Sequence, residues 1–305
     1  MCRGNRVMSF RAWWPAVGDG VSGLAVGQRV GIEAEHLLGC GECRWCLAGQ
    51  YHVCPERGVR HGAKQGSHGF SQYDICVAGN VTPLPDEVSF DAAALVDCYA
   101  CGVHAANRAP DVRGDVVAII GAGAIAMTLG QVLKARGAGT VVLVGTRRQP
   151  VDVAIAMGSA DIGVVTSEQD PVGAVIDATD GEGAAVTFET VGGQTQLIQQ
   201  AVEMTRRAGV VSVLGLFTKA QTVDPVVAME KEISIQWSNS FSTFNGESEF
   251  ATALGLIVSG SVDPGLIVTD HFSFDEIGEA FATADDKRSS GAIRVMVHPS
   301  PDRGD

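Results

Sequence analysis

The sequence is short of positive charge, and it has neither a long apolar segment nor a secretory signal. Among its 305 residues, 22 are Lys or Arg and 35 are Asp or Glu, for a formal charge of −13. This surplus of negative charge argues against nucleic acid and anionic membranes as general partners. No apolar run is long and clean enough to span a bilayer, and the first residues contain no apolar stretch of signal-peptide length. We therefore expect a cytoplasmic protein.

Without a secretory signal, a disulfide framework is not expected, and the eight cysteines should be reduced thiols or metal ligands. Four of them form a C-x2-C-x2-C-x7-C pattern: Cys40, Cys43, Cys46 and Cys54. Four thiolates at this spacing can enclose zinc in a tetrahedral site with no open position, which would make the role of the metal structural. Two disulfides or an iron–sulfur cluster are the alternatives, since C-x2-C-x2-C also occurs around such clusters.

The stretch 116–148 has the pattern of one β-α-β unit. Five apolar residues (116–120) predict a buried strand, a helix should extend to about Arg136, and 140–144 predict a second strand. The turn between the first strand and the helix reads G-x-G-x-x-A, with Gly121, Gly123, Ala124, Ile125 and Ala126. Glycines in this context let a pyrophosphate approach the backbone at the helix N-terminus, where free N–H groups and a partial positive charge favour it. The unit therefore predicts a dinucleotide site.

The end of the second strand indicates which dinucleotide is bound. NAD sites usually carry an Asp or Glu there, which accepts hydrogen bonds from the ribose hydroxyls. This chain instead has Gly145, Thr146, Arg147 and Arg148. No carboxylate would repel a 2′-phosphate, and two guanidinium groups could bind one bidentately. NADP(H) is therefore expected over NAD(H), unless the two arginines are only solvated loop charges.

Strands and helices continue to alternate up to residue 259. Predicted strands cover 162–165, 184–189, 209–214 and 232–237, and predicted helices cover 172–178, 194–206 and 247–259. This alternation is typical of an α/β fold with a doubly wound parallel sheet, whose ligands bind at the carboxyl ends of the strands. Outside it, the pattern predicts a strand pair in 18–33, a strand in 66–77, a helix from residue 90 and a strand-helix-strand in 267–297. Residues 1–17 show no clear period.

Asp97 lies in an apolar, helix-like run, where a carboxylate is costly unless it is paired or bound to metal. It could also simply cap or turn the chain. Cys98 and Cys101, in the same run, are either a redox pair or two small residues of a packed helix. We expect His61 and His68 to be loop residues rather than ligands.

Three of these features occur together: the four-cysteine segment, the G-A-G-A-I-A turn and the closing R-S-S-G-A-I-R-V-M-V. In this combination the chain resembles the zinc-dependent medium-chain dehydrogenases, the family of alcohol, polyol and threonine dehydrogenases, over residues 17–299. The resemblance implies a GroES-like β-barrel domain built from 1–98 and 266–305, with a structural-zinc lobe at 40–54, and a Rossmann domain over 99–265. It also implies reversible hydride transfer between a small alcohol or carbonyl compound and a nicotinamide, in a homodimer or homotetramer.

The resemblance also implies roles for individual residues. The four clustered cysteines match the family's structural-zinc ligands. The matching cofactor positions are the pyrophosphate loop (Gly121, Gly123, Ala126), the strand end that faces the nicotinamide carboxamide (Leu214, Gly215) and a frequent pyrophosphate contact (Arg294).

The chain departs from the family at the catalytic zinc, which needs three protein ligands and one open position. Asp97 falls where the family places the third ligand or the neighbouring acidic group. The first two normally come from C-G-x-D-x-H and G-H-E motifs ahead of the cysteine segment. Neither motif is present, and the Cys and His residues before Cys40 are Cys2 and His36. We therefore expect a truncated or altered N-terminus, an incomplete barrel and NADP(H) binding with weak or absent turnover. The alternatives are an inactive NADP(H)-binding module and a fragment of a longer active dehydrogenase.

Overall fold

The computed structural model describes residues 9–13, 16–33, 39–56, 70, 73, 76 and 78–298. Its first part contains a small antiparallel sheet of order β1-β2-β3, followed by two helices. The elements are β1 (Ser9–Trp13), β2 (Arg29–Glu33), α1 (Arg44–Leu47), β3 (Val81–Pro83), α2 (Phe90–Ala93) and α3 (Val96–Arg108), with 3-10 turns at Tyr51–Val53 and Ala78–Asn80.

The predicted strand pair in 18–33 is only half correct. Residues 18–28 are irregular, with turns closed by hydrogen bonds from Val21 N to Gly18 O and from Gln28 N to Ala25 O. β2 pairs instead with β1, which lies in the segment that has no periodic pattern in the sequence. Strand formation there depends on a partner elsewhere in the chain, which local sequence does not reveal. The strand predicted in 66–77 falls almost entirely outside the described residues.

A six-stranded parallel sheet forms the middle of the chain, with the order β6-β5-β4-β7-β8-β9. Its elements are β4 (Val116–Ile120), α4 (Ala124–Ala135), β5 (Thr140–Gly145), α5 (Arg148–Ala156), β6 (Ile162–Val165), α6 (Pro171–Asp177), β7 (Ala184–Glu189), α7 (Ile198–Met204), β8 (Thr205–Val213), α8 (Pro225–Glu230) and β9 (Ser234–Trp237). Apolar clusters cover both faces, which is why the central strands are continuous apolar runs. The strand order reverses between β4 and β7, and open α/β sheets bind ligands at such a point. The predicted doubly wound sheet is confirmed.

The predicted bounds hold for β4, β6 and β7, but not between α7 and β8. The helix begins at Ile198 rather than at 194, and β8 already begins at Thr205 rather than at 209. The Thr205 hydroxyl donates to Ala201 O, and it also lies 2.7 Å from the Thr187 hydroxyl on β7. The Thr205 hydroxyl thus contacts the last turn of α7 and the neighbouring strand β7 at the residue where β8 begins.

The last part of the chain contains a parallel strand pair outside the large sheet. Its elements are β10 (Thr243–Phe244), β11 (Glu247–Ser248), α9 (Glu249–Val258), β12 (Val268–Ser273), α10 (Ile277–Asp285), α11 (Lys287–Ser290) and β13 (Arg294–His298), with a 3-10 turn at Phe274–Glu276. β12 and β13 pair in parallel, and α10 contacts both, as the predicted strand-helix-strand requires. Within the part of the chain that the structure describes, no helix has the length and apolar character to cross a membrane.

Gly130 allows α4 to pack directly against the backbone after α5. A Cβ at this position would lie 2.0 Å from Ser159 O. We expect Gly130→Ala to lower the free energy of unfolding by about 1–3 kcal/mol, the usual cost of overpacking. Gly255→Ala in α9 is the matched control, because its methyl would meet no atom within 4 Å. Urea unfolding, monitored by circular dichroism, should show no loss in the free energy of unfolding for this control. Equal losses for the two variants would contradict the explanation by packing.

Candidate functional site

The four clustered cysteines converge on one point. Cys43 precedes α1, Cys46 lies within it, and Cys54 follows the 3-10 turn at Tyr51–Val53. The four sulfurs lie within 4.8 Å of one another, with 3.6 Å from Cys43 to Cys46 and 3.8 Å from Cys43 to Cys54. With zinc–sulfur bonds of about 2.3 Å, the sulfurs of a tetrahedral site lie about 3.8 Å apart, whereas a disulfide needs about 2.05 Å. This donor set therefore fits a zinc ion.

The pKa values of two of these thiols indicate that the four cysteines would not all be deprotonated at neutral pH without a bound cation. Backbone N–H groups of Glu42 and Cys43 lower the pKa of the Cys40 thiol to about 7. Burial raises the pKa of Cys46, in contrast, to about 12. Several thiolates this close repel one another, so a bound cation is what would allow all four to lose their protons.

The glycine turn between β4 and α4 has the shape of a phosphate cradle. Gly121 has a φ of +125°, and a Cβ there would lie 2.3 Å from the Thr190 hydroxyl, so only glycine fits. Gly123 faces open space, since its Cβ would meet no atom within 4 Å. No side chain caps α4, which leaves its first N–H groups and its partial positive charge directed at that space. Ala126 is buried and packs the helix onto the sheet.

The two arginines after β5 are both engaged within the protein. The Arg147 guanidinium donates to the Lys287 carbonyl, at the start of α11. Arg148 pairs with Glu168 and lies 3.5 Å from Asp152. Burial, together with the positive charges of Arg294 and Arg147, lowers the pKa of Lys287. Arg147 therefore lies in a positively charged region, while the charge of Arg148 is already balanced by carboxylates.

Glu189 is a buried carboxylate at this edge of the sheet, and the sequence analysis assigned no role to it. One carboxylate oxygen accepts hydrogen bonds from Val191 N at 2.8 Å and Gly192 N at 3.0 Å. Its main-chain carbonyl accepts from Leu214 N and Gly215 N, at 2.8 and 3.0 Å. Burial raises the pKa of Glu189, and the backbone N–H donors oppose that rise. Glu189 thus fixes the turn after β7 against the end of β8.

Asp97 lies in the first turn of α3 and is only 1% exposed. Its charged neighbour is Arg294, at the start of β13, whose pKa is raised by Cys98 and by Asp97. Burial raises the pKa of the Cys98 thiol, which follows Asp97 in α3, to about 12. The predicted zinc ligand and the predicted pyrophosphate contact thus interact electrostatically.

Comparisons with known proteins agree with this arrangement. An alcohol dehydrogenase GroES-like domain matches residues 15–86, and a zinc-binding dehydrogenase domain matches residues 124–259. Sorbitol dehydrogenase of Bacillus subtilis is 30% identical over 288 residues, which cover 93% of this chain and 78% of that protein. The chain belongs to the zinc-dependent medium-chain alcohol dehydrogenase family. It is accordingly an oxidoreductase of the zinc-containing, NAD(P)-dependent alcohol and polyol dehydrogenases.

Solved structures of this dehydrogenase family have the same fold. The 2R,3R-butanediol dehydrogenase from Bacillus subtilis matches with a TM-score of 0.79 and 26% identity, over 95% of this chain and 79% of that one. The alcohol dehydrogenase TADH from Thermus sp. ATN1 matches with a TM-score of 0.81, over 95% and 82%, and at 23% identity it supports the fold alone.

Among the described residues, Asp97 belongs to no group of three or more His, Cys, Asp or Glu side chains whose ligand atoms lie close enough together to hold a metal ion. Cys98 and Cys101 are buried thiols in α3, as expected of small residues in a packed helix. Cys2, His36, His61 and His68 lie outside the described residues, so their predictions stay untested.

A third buried carboxylate, Glu249, connects the cysteine segment to α3 of the dehydrogenase. Its oxygens lie 2.8 Å from His104 Nδ1, and they accept from Asn107 Nδ2 at 2.7 Å and from Ser242 N at 2.8 Å. The His104 ring in turn lies 4.9 Å, edge to face, from the ring of His52, which is two residues before Cys54. Glu249 therefore helps hold α3, with Asp97 at its start, against the cysteine segment.

We expect Glu249→Gln to lower the free energy of unfolding by about 1–3 kcal/mol, because the amide NH2 would face at least one buried donor. Burial would raise the pKa of Glu249, but the hydrogen bonds from His104, Asn107 and Ser242 N outweigh it and hold this pKa below its ordinary value. A lowered folded-state pKa stabilises above the unfolded pKa, and this stabilisation disappears as pH falls through the folded value. When unfolding is measured across pH, the free energy of unfolding of the variant should be lower than that of the parent at neutral pH. This difference should become smaller in acid.

The control for this test is Glu276→Gln, at an exposed glutamate that accepts from Ser273 N at 2.8 Å. Its loss should be smaller, because water can replace the missing hydrogen bond. A deficit for Glu249→Gln that stays constant down to strongly acidic pH would show that the buried charge is not its cause.

Proposed function

We propose that this family member binds NADP(H) at the carboxyl edge of the six-stranded sheet and transfers hydride between it and a small alcohol or polyol. The observation that carries the proposal is the uncapped N-terminus of α4 behind Gly121 and Gly123, at the point where the strand order reverses. A pyrophosphate bound there would have the α4 N–H groups as its partners. The nicotinamide would then extend toward Leu214 and Gly215, whose backbone Glu189 holds.

The preference for NADP(H) rests on charge at the end of β5. Gly145 and Thr146 contribute no carboxylate that would repel a 2′-phosphate. Arg147, with Lys287 close by, is the residue we assign to that phosphate, and Arg294 to the pyrophosphate. Because Arg148 is already paired with Glu168, its contribution should be the smaller one.

We assign the structural zinc to Cys40, Cys43, Cys46 and Cys54. These four would fill every position of a tetrahedral ion, so the metal would stabilise the segment 40–54 and take no part in chemistry. We also assign 1–98 and 266–305 to a GroES-like domain and 99–265 to the Rossmann domain. The strand pair β12–β13, which stays outside the large sheet, supports this division.

Hydride transfer is expected to be slow. A catalytic zinc would stabilise the substrate as an alkoxide, and Asp97 is the one position that matches the family's ligands for it. In this chain, Arg294 interacts electrostatically with Asp97, so part of the charge of that carboxylate would be balanced without a metal. The same observation favours the second candidate function, an NADP(H)-binding module without turnover. A longer active dehydrogenase would instead supply the C-G-x-D and G-H-E motifs from other sequence.

Assembly as a homo-oligomer is also proposed. β9 is an edge strand of the sheet, and its side chains Ile235 and Trp237 are exposed together with Leu216. An uncovered strand edge beside apolar side chains favours pairing with another copy. Light scattering of the purified protein tests this, and a monomeric mass would refute it.

The first test combines zinc content with turnover. After dialysis against metal-free buffer, we expect one zinc per chain, lost in Cys46→Ser and retained in Asp97→Asn. Turnover of sorbitol, 2,3-butanediol and threonine with NADP⁺ and NAD⁺ should be slow and independent of added zinc. Two tightly bound zinc ions, one of which disappears in Asp97→Asn together with rapid turnover, would refute the proposal of an impaired site.

The cofactor preference is tested by titrating NADPH and NADH into the protein and following nucleotide fluorescence. Loss of a charge-assisted hydrogen bond costs about 1.5–3 kcal/mol, so Arg147→Ala should weaken NADPH binding by about 10- to 150-fold. NADH binding should change little, because NADH lacks the 2′-phosphate. Arg148→Ala is the matched control with a smaller effect on NADPH. Equal losses of NADPH and NADH in Arg147→Ala would contradict the assignment.

A further inference from the structure

Two histidines and an aspartate lie close together outside the cysteine segment. His271 lies on β12, His298 ends β13, and Asp91 lies in α2. His271 Nδ1 is 2.9 Å from His298 Nε2, and the carboxylate oxygens of Asp91 are 3.6 Å from the first nitrogen and 4.0 Å from the second. One ligand atom from each residue thus lies within 4.8 Å of the other two.

The strand register explains why the two histidines share a face. β12 and β13 run parallel, with His271 beside Met296 and Ser273 beside His298. Alternate residues of a strand point to the same side, so His271 and His298 are diagonal neighbours on one side of this pair. Their rings are 5.2 Å apart and tilted by 30°, and the two facing nitrogens are within hydrogen-bond distance.

The separations suit a divalent cation of the zinc type. Metal–nitrogen bonds of about 2.0–2.1 Å place neighbouring ligand atoms about 2.9–3.4 Å apart, depending on geometry. The two nitrogens already have this spacing, and a small side-chain rotation would bring the Asp91 carboxylate into it. Two imidazoles and one carboxylate are also a donor set that zinc accepts, with water in the remaining position. The side chain of His271 is about half exposed, which leaves space for that water.

We propose that Asp91, His271 and His298 form a binding site for one zinc-class divalent cation. It is separate from the four cysteines and from Asp97, and it does not depend on the proposed function. The ion would connect α2, which leads into α3, to the strand pair that ends the described chain. Because an unfolded chain has no such site, binding would stabilise the folded protein in proportion to the logarithm of ion concentration.

The experiment uses the full protein with its tightly bound zinc retained. Zinc is added by equilibrium dialysis, and the bound metal per chain is measured for the parent, Asp91→Asn, His271→Gln and His298→Gln. We expect the parent to take up one further ion, and each variant to bind it at least about tenfold more weakly, since even indirect partners of a metal ligand contribute that much. The added ion should also raise the unfolding temperature of the parent and leave that of the variants unchanged.

Two matched controls identify the site. Asp270→Asn changes a neighbouring carboxylate on β12, and Asp97→Asn changes the candidate catalytic ligand; both should retain the further ion. In the parent, added Co²⁺ should broaden the NMR signals of His271 and His298, which reports on the site without any substitution. The proposal is overturned if the parent takes up no further ion, if the three variants bind it as tightly as the parent, or if Asp97→Asn alone removes it.

Discussion

The architecture of the cofactor edge depends on one constraint: parallel strands bring their carboxyl ends to the same side of a sheet. β4, β5, β7 and β8 therefore present Gly121, Gly145, Glu189 and Leu214 along a single edge, although these residues are far apart in the chain. The order reverses between β4 and β7, which opens a crevice there. A glycine is required directly after β4, because a side chain at Gly121 would collide with Thr190, the residue that follows the neighbouring strand β7.

Three buried carboxylates of the described chain have hydrogen-bond or electrostatic partners, although one carboxylate oxygen of Glu189 is buried without a hydrogen bond. Glu189 is held by backbone N–H groups, Glu249 by His104, Asn107 and Ser242, and Asp97 lies beside Arg294. A buried carboxylate without such partners would cost several kcal/mol or take up a proton. The hydrogen bonds from α3 to Glu249 and the interaction of Asp97 with Arg294 join elements distant in sequence, and they help to specify how α3, α9 and β13 are arranged. The Glu189 carboxylate instead binds the turn that directly follows β7.

Features that depend on local sequence could be predicted, whereas features that depend on contacts between distant segments could not. β4, β6 and β7 have the predicted bounds because apolar runs and glycine turns mark them without reference to other segments. β1 was not predictable, since its strand depends on pairing with β2. The convergence of the cysteines followed from spacing, whereas the pairing of Arg148 with Glu168 and the meeting of Asp91 with two histidines required the tertiary structure.

The difference between local motifs and long-range contacts also bears on how cofactor binding could persist in this family member without efficient hydride transfer. The proposed dinucleotide cradle is one contiguous motif, and it lies on elements that the sheet and both apolar clusters stabilise. A catalytic zinc site, in contrast, needs ligands from separate segments of the chain. The interaction of Asp97 with Arg294 would balance part of the charge of this buried carboxylate whether or not a metal is present. Loss of the other ligands would therefore impair hydride transfer while the fold and the nucleotide site remain intact.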